Sequence, residues 1–124
     1  MKTKIGNRRR IRRYRVDKAG TANIEFRYPG PNGKSFVLPL IDLSIAGFSF
    51  KLEEPLSGLD NGSTIEDVVV RLGDCEIKGE VLVMYFNDEY GREASCGALF
   101  YPESESELVK LKCVVAGIEA LQRD

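Results

Sequence analysis

The stretch IEDVVVRLGDCEIKGEVLVMY, residues 65–85, decides the fold class. Its first part, residues 65–72, is rich in β-branched side chains, and Gly73-Asp74 is typical of a hairpin turn. From Cys75 to Val81 apolar residues or glycine alternate with charged residues, which is the period of a half-buried strand. Gly79 within that strand indicates a bulge or a close approach of two backbones. The alternation predicts one shared face for Cys75, Ile77, Gly79, Val81, Val83 and Tyr85.

The same pattern recurs on both sides of this hairpin. Strands are predicted near residues 14–16, 22–28, 35–41, 47–52 and 94–101. A Pro-Gly-rich turn at residues 29–33 closes a second hairpin, and Pro39 predicts an edge or a bulge in the strand that follows. Residues 53–63 carry loop-forming residues. Some six short strands at regular spacing predict a small antiparallel β-barrel, which also removes exposed strand edges.

The period changes to that of a helix after Pro102. Ser104 and Glu107 fit a capping box at the start of a helix. Apolar residues then recur at helical spacing, at Leu108, Leu111, Val114 or Val115, Ile118 and Leu121. The chain is therefore predicted to be a single domain with a flexible basic arm at 1–13, a β-barrel at 14–103 and an amphipathic helix at 104–123.

The net charge of −1 over 124 residues hides a strong asymmetry. Residues 1–18 contain nine basic residues and one acid, whereas the rest contains nine basic and eighteen acidic residues. A basic arm on an acidic body indicates an anionic ligand, or docking of the arm on its own domain. No apolar run is long enough to insert into a membrane, and no apolar segment follows the basic N-terminus, so we expect a cytoplasmic protein.

The composition argues against an enzyme and against a metal site. The chain has no histidine, which removes the commonest general base and many metal ligands. No nucleophile elbow or phosphate-binding loop is present. Cys75, Cys96 and Cys113 are odd in number and form no CxxC pair, so we expect free thiols rather than disulfides or zinc ligands. A binding module without catalytic residues, metal or cofactor is the expected class.

One candidate site is the arginine run at residues 8–13, Arg8-Arg9-Arg10-Ile11-Arg12-Arg13. A guanidinium group is always charged, binds phosphate through two parallel hydrogen bonds and stacks on bases. Such a run fits a solvated arm, a nucleic-acid-binding tail or a site for a phosphorylated ligand. The acidic body, without an evident face of exposed aromatic and basic residues, argues against nucleic acid as the partner.

The second candidate is the turn Asp42-Leu43-Ser44-Ile45-Ala46-Gly47. Asp42 and Ser44 are two residues apart, so on an extended chain they face the same side and Leu43 points into the barrel. Gly47 allows a positive φ or a close approach of backbone to a ligand. The alternative is a turn in which Asp42 and Ser44 bond only to the backbone.

Together the two segments resemble the motifs of PilZ domains. Arg9 and Arg13 match RxxxR, and residues 42–47 match (D/N)xSxxG at every fixed position. Arg8 and Arg12 also satisfy RxxxR, so two registers are open. We prefer Arg9 and Arg13, because Arg8 then occupies the position before the motif that is often basic in this family.

The resemblance implies a six-stranded barrel with a C-terminal helix that binds cyclic di-GMP without catalysis. Arg9 and Arg13 would bind guanine and phosphate, and Arg8 would favour an intercalated ligand dimer. Asp42 and Ser44 would contact the guanine edge and backbone, and Gly47 would allow close approach. Ligand binding would order the arm and signal to an effector protein of motility, secretion or polysaccharide synthesis. The alternatives are a ligand-free docking module and a nucleic-acid-binding barrel.

Overall fold

A computed structural model describes residues 12–16, 21–53, 56, 58–87 and 94–122. These residues form seven strands and one helix. The strands are β1 (Tyr14–Arg15), β2 (Ala22–Tyr28), β3 (Lys34–Leu43), β4 (Gly47–Leu52), β5 (Thr64–Leu72), β6 (Cys75–Asn87) and β7 (Ala94–Pro102), and the helix is α1 (Glu105–Gln122). Residues 65–85 form most of the β5–β6 hairpin, as their alternation predicts.

The strands form a closed antiparallel barrel. Along the sheet the strand order is β1-β3-β2-β5-β6-β7-β4. A further pairing of β3 with β4 closes the six strands β2–β7 into a barrel. β1 is an extra strand that pairs with β3 outside the closed ring. The predicted six-stranded barrel with a C-terminal helix is therefore confirmed.

The barrel interior is filled by side chains from alternate strand positions. In β4, Phe48 and Phe50 are fully buried and point inward, so the residue between them, Ser49, points to the outer surface. The Phe48 ring lies 5.4 Å from Phe100 of β7, and the Phe50 ring lies 6.2 Å from Phe26 of β2. These tilted and edge-on aromatic contacts pack the inner face of β4 against its neighbour β7 and against β2.

Register shifts interrupt the ladders where the sequence contains Pro39 and Gly79. The shift after Pro39 lies between Leu40 and Asp42 in the β3–β4 ladder, as a bulge next to proline predicts. Gly79 pairs with Val68 beside a shift in β5, and a Cβ at Gly79 would overlap the carbonyl oxygen of Tyr101. Of the two alternatives for Gly79, the close backbone approach is therefore present at Gly79 itself, whereas the bulge lies opposite it in β5.

A third register shift corrects one sequence prediction. Between Val83 and Tyr85 the β6–β7 ladder shifts, so the inward face of β6 ends at Val83. Tyr85, predicted to share that buried face, is instead 44% exposed on the outside of the barrel. Alternation alone cannot reveal a bulge, because the extra residue inverts the direction of every side chain that follows.

The helix is attached to the barrel mainly by its first half. Leu111 is buried, and the Glu107 carboxylate accepts a hydrogen bond of 2.8 Å from the backbone N–H of Lys78 in β6. Glu107 N donates to Ser104 Oγ at 3.3 Å, which is the first half of the predicted capping box. The glutamate side chain bonds to the barrel and to Lys110 rather than completing that box.

The second half of the helix is less buried than its spacing predicts. The spacing places Leu121 on the apolar stripe, but its side chain is 86% exposed, while the next residue, Gln122, donates from Nε2 to the Arg15 carbonyl at 3.0 Å. The divisions at residues 13 and 103 stay predictions, since most of the basic arm lies outside the described residues. Within the described chain, no helix is long and apolar enough to cross a membrane.

Candidate functional site

The candidate site is a row of residues across the outer surface of the barrel. Registers place Arg15 of β1 opposite Asp42 of β3, Asp42 opposite Ser49 of β4, and Ser49 opposite Gly97 of β7. Gly97 is in turn opposite Tyr85 of β6. Neighbouring strands are about 4.8 Å apart, so these residues form one continuous surface across four strands of the barrel and β1.

Asp42 is the centre of the polar half of this row. Its Oδ1 accepts hydrogen bonds from Arg13 Nη1 at 2.9 Å, from Ser49 N at 3.1 Å and from Ser49 Oγ at 2.8 Å. The Arg13 and Asp42 side chains are 44% and 19% exposed. The two sequence motifs, 29 residues apart, therefore meet in one ion pair at the barrel surface.

The bulge in β3 helps to bring Arg13 to this position. Because the register shifts between Leu40 and Asp42, Ile41 lies outside the regular β3–β4 ladder. The Ile41 carbonyl accepts a hydrogen bond of 2.9 Å from Val16 N, just after β1. The bulge thus anchors the short strand that directly follows Arg13.

Ser44 closes the turn between β3 and β4. Its side chain is buried, and Oγ accepts from Ala46 N at 3.1 Å and Gly47 N at 3.2 Å while lying 3.2 Å from the Gly47 carbonyl. The structure therefore gives Ser44 the turn-supporting role that the sequence left open. A contact between Ser44 and a ligand stays a prediction.

Gly47 is required by packing between strands. Its φ lies outside the left-handed region, and a Cβ there would overlap the carbonyl oxygen of Ala98 in β7. The close approach at Gly47 is therefore made to a neighbouring strand. Of the other candidate residues, Arg8 and Arg9 lie outside the described residues, and Arg12 is exposed.

Tyr85 is a surface feature that the sequence analysis missed. A Cβ at Gly97 would overlap the Tyr85 ring, so the absence of a side chain at residue 97 lets the ring lie against the sheet. The ring stays 44% exposed and lies in the same cross-strand row as Ser49 and Asp42. Gly97 could have been noticed as a glycine inside a strand pattern. That it lies opposite Tyr85, however, follows from the bulge in β6.

The site contains no grouping suited to a metal ion. Across the residues that the structure describes, no three His, Cys, Asp or Glu side chains lie together in a way that could hold one. The chemistry of the row is instead a fixed carboxylate, a guanidinium group and an exposed aromatic ring. Such groups bind a planar, hydrogen-bonding, anionic ligand.

No family model and no curated protein matches this chain. Its fold, however, is similar to solved structures with TM-scores above 0.7. MrkH from K. pneumonia in complex with c-di-GMP matches with a TM-score of 0.76 and 18% identity over 93% of this chain and 54% of MrkH. The PilZ domain of Escherichia coli YcgR with c-di-GMP matches with a TM-score of 0.74 and 17% identity over 94% and 95% of the two chains.

A third similar structure is the Bacillus subtilis inhibitor of motility MotI/DgrA. It matches with a TM-score of 0.70 and 14% identity over 91% of this chain and 53% of that protein. The chain thus spans about half the length of MrkH and MotI/DgrA but nearly all of the YcgR PilZ domain. The chain has the fold of PilZ domains, and the resemblance based on its motifs is confirmed at that level.

Proposed function

We propose that this protein is a receptor for cyclic di-GMP that acts without catalysis. The observation that carries the proposal is the 2.9 Å contact between Arg13 and Asp42, which joins both PilZ motifs at one place on a PilZ fold. Support comes from MrkH and YcgR, whose structures with c-di-GMP have this fold. The bond to Arg13 favours the RxxxR register of Arg9 and Arg13 over that of Arg8 and Arg12.

Each part of the row has a role in this proposal. The Asp42 carboxylate accepts the N–H groups of a guanine edge, and the Arg13 and Arg9 guanidinium groups bind phosphate and the other guanine edge. The Tyr85 ring stacks on a base, since base–aromatic stacking stabilises binding by about 1–3 kcal/mol. Ser44 and Gly47 shape the turn that holds Asp42, and Arg8 contacts a second, intercalated ligand.

Signalling follows from ordering of the arm. The ligand's two negative charges bridge the arginines and the barrel, which creates a new surface for an effector protein in the cytoplasm. The effector would be a component of motility, secretion or polysaccharide synthesis.

A second candidate function is a docking module that binds no nucleotide. It is favoured by the observation that Ser44 and Gly47 already have structural roles within the turn. In that case the Arg13–Asp42 ion pair would only fix β1 to the barrel. A nucleic-acid-binding barrel has no comparable support among the described residues.

Calorimetric titration of the purified chain with cyclic di-GMP tests the proposal, with cyclic di-AMP and GTP as controls. Tight binding of cyclic di-GMP but of neither control, weakened roughly 30-fold in Arg13→Ala, would establish a receptor, and the stoichiometry would define the role of Arg8. Absence of heat at tens of micromolar ligand would discard the receptor and leave the docking module. Salt-sensitive binding of a polynucleotide, unchanged in Asp42→Ala, would instead indicate a nucleic-acid partner.

A further inference from the structure

The two oxygens of the Asp42 carboxylate differ in the number of hydrogen bonds that they accept from described residues. All three bonds from described residues end on Oδ1, with donors Arg13 Nη1, Ser49 N and Ser49 Oγ. An ionised carboxylate has about four acceptor positions, two on each oxygen, so Oδ1 is already fully occupied. Oδ2 accepts no bond from a described residue.

A guanine edge needs more than Oδ2. It presents the neighbouring donors N1–H and N2–H₂, which fit a carboxylate when each of its oxygens accepts one of them. Oδ1 can accept the second donor only if one of its present partners leaves. Binding of guanine at Asp42 therefore requires an exchange of hydrogen bonds at Oδ1.

The structure indicates which partner leaves. Ser49 lies in the middle of β4, paired with Asp42 on one side and Gly97 on the other, and is only 6% exposed. Arg13 precedes the two-residue strand β1, and its side chain is 44% exposed. The guanidinium can move into solvent or onto a phosphate, whereas the donors of Ser49 are fixed by the barrel.

We infer that the Arg13 guanidinium leaves Asp42 and binds the ligand instead. Ser49 is then the positioning residue that holds the Asp42 carboxylate during this exchange. The inference rests on the proposed function and adds to it a mechanism of guanine selection. In the free protein the negative charge of Asp42 is balanced by Arg13 and by the two Ser49 donors. In the complex the Ser49 donors and the guanine edge balance it, and Arg13 is released to a phosphate.

The exchange makes the Ser49 hydroxyl more important in the complex than in the free protein. Without the hydroxyl, the carboxylate keeps only one donor from β4, and Arg13 becomes its main partner. Breaking the Arg13–Asp42 ion pair then costs more free energy in this variant than in the wild type. The Asp42 carboxylate is also less well oriented for guanine. A residue that merely stabilised the barrel would show the opposite pattern, a lower melting temperature with unchanged ligand affinity.

The test compares Ser49→Ala, Ser49→Thr and Ser35→Ala with the wild-type protein. Ser35→Ala is the matched control, because Ser35 is an exposed strand serine at the far end of β3. Melting temperature without ligand and calorimetric affinities for cyclic di-GMP and cyclic di-AMP are measured for each variant. For Ser49→Ala we expect a melting temperature within about 3 °C of wild type and roughly tenfold weaker cyclic di-GMP binding.

The preference for cyclic di-GMP over cyclic di-AMP should also decrease in Ser49→Ala and return in Ser49→Thr, which restores the hydroxyl. Ser35→Ala should change neither affinity nor preference. If the wild-type protein binds cyclic di-GMP and Ser49→Ala keeps the same affinity and preference, the inferred exchange is wrong but the receptor function stands. A wild-type protein that does not bind cyclic di-GMP would overturn both.

Discussion

Gly47 in β4 lies so close to the carbonyl oxygen of Ala98 in β7 that no side chain fits between the two strands. The last residue of the motif is therefore needed for closure of the barrel, whether or not a ligand binds. The neighbouring atom belongs to the backbone of a strand paired on both sides, so it cannot move aside cheaply.

Gly47→Ala should therefore lower the free energy of unfolding by roughly 1–3 kcal/mol, the usual cost of overpacking. Urea denaturation without ligand measures the effect. The control is Gly117→Ala in α1, where the added Cβ meets nothing within 4 Å apart from its chain neighbours and the backbone of its own helix. That change should instead stabilise the protein by about 0.5–1 kcal/mol, since alanine favours a helix over glycine. Equal stability of Gly47→Ala and wild type would contradict the steric explanation.

Arg13→Ala should affect ligand binding much more than stability. An exposed ion pair contributes less than about 1 kcal/mol to folding, whereas a charge-assisted contact to a ligand contributes about 2 kcal/mol, or roughly 30-fold in affinity. Calorimetry and thermal melting measure the two effects. Arg27→Ala is the control. The exposed Arg27 guanidinium donates to the Gly33 carbonyl in the β2–β3 hairpin, at the opposite end of β3 from Asp42. Equal losses of affinity in both variants would point to general charge attraction.

Tyr85→Ala should weaken cyclic di-GMP binding by about 2 kcal/mol, roughly 30-fold, if the ring stacks on a base. Tyr85→Phe should keep most of the affinity, because the phenyl ring retains the stacking surface. Tyr101→Ala is a matched control with similar exposure, 47% against 44%, on β7. Gly97→Ala should also weaken binding, since its Cβ would displace the exposed Tyr85 ring. If Tyr85→Ala bound as tightly as wild type, the aromatic half of the site would be discarded.

The hydrogen bonds of Glu107 predict how the stability of the protein depends on pH. The backbone N–H of Lys78 and then the Lys110 ammonium hold the pKa of Glu107 below its ordinary value of 4.5. A carboxyl group with a lower pKa in the folded state stabilises the protein above its ordinary pKa, and this contribution is lost as the pH falls through the folded value.

The difference in melting temperature between wild type and Glu107→Gln should therefore be largest near neutral pH and shrink as the pH falls below the ordinary carboxyl pKa of 4.5. Glu105→Gln, an exposed glutamate of the same helical turn, serves as the control. A difference that does not shrink at all on acidification would show that the charge of Glu107 does not link the helix to β6.

The three free cysteines should differ in reactivity. Burial raises the pKa of the Cys96 thiol to about 12, whereas Cys113 is exposed on the helix and Cys75 is half-buried. Because only the thiolate reacts, a disulfide reagent at pH 8 should modify Cys113 first and Cys96 only after denaturation. Cys113→Ser should remove the fastest phase. A fast phase that persists in this variant would show that a second thiol is accessible.

The fold was predictable because its signals are local. The alternation in residues 65–85, the turn residues between strands and the change of period after Pro102 each indicate one element, and together they predict a barrel with a helix. The inward direction of Leu43 and the start of the helix near Ser104 also followed from spacing alone.

The site was only partly predictable. Arg13 and Asp42 were chosen from motifs and lie in contact, but their role in binding a ligand stays a prediction. Ser49 and Tyr85 were not among the residues to which the motifs pointed. Ser49 lies in an ordinary alternating strand, and nothing in its own neighbourhood indicates that both of its donors bind Asp42. Tyr85 was assigned to the core because the register shift that exposes it results from pairing with β7.

The sequence by itself determined which segments are strands, which is the helix and most of the residues that fill the barrel, because these depend on periodicity and on turn residues nearby in the chain. Only the tertiary structure decided which outward-facing residues become neighbours. Closure of the barrel and its bulges place Asp42, Ser49, Gly97 and Tyr85 in one row, although they come from four separate strands. Such a row depends on strand register, which is fixed by packing between distant segments.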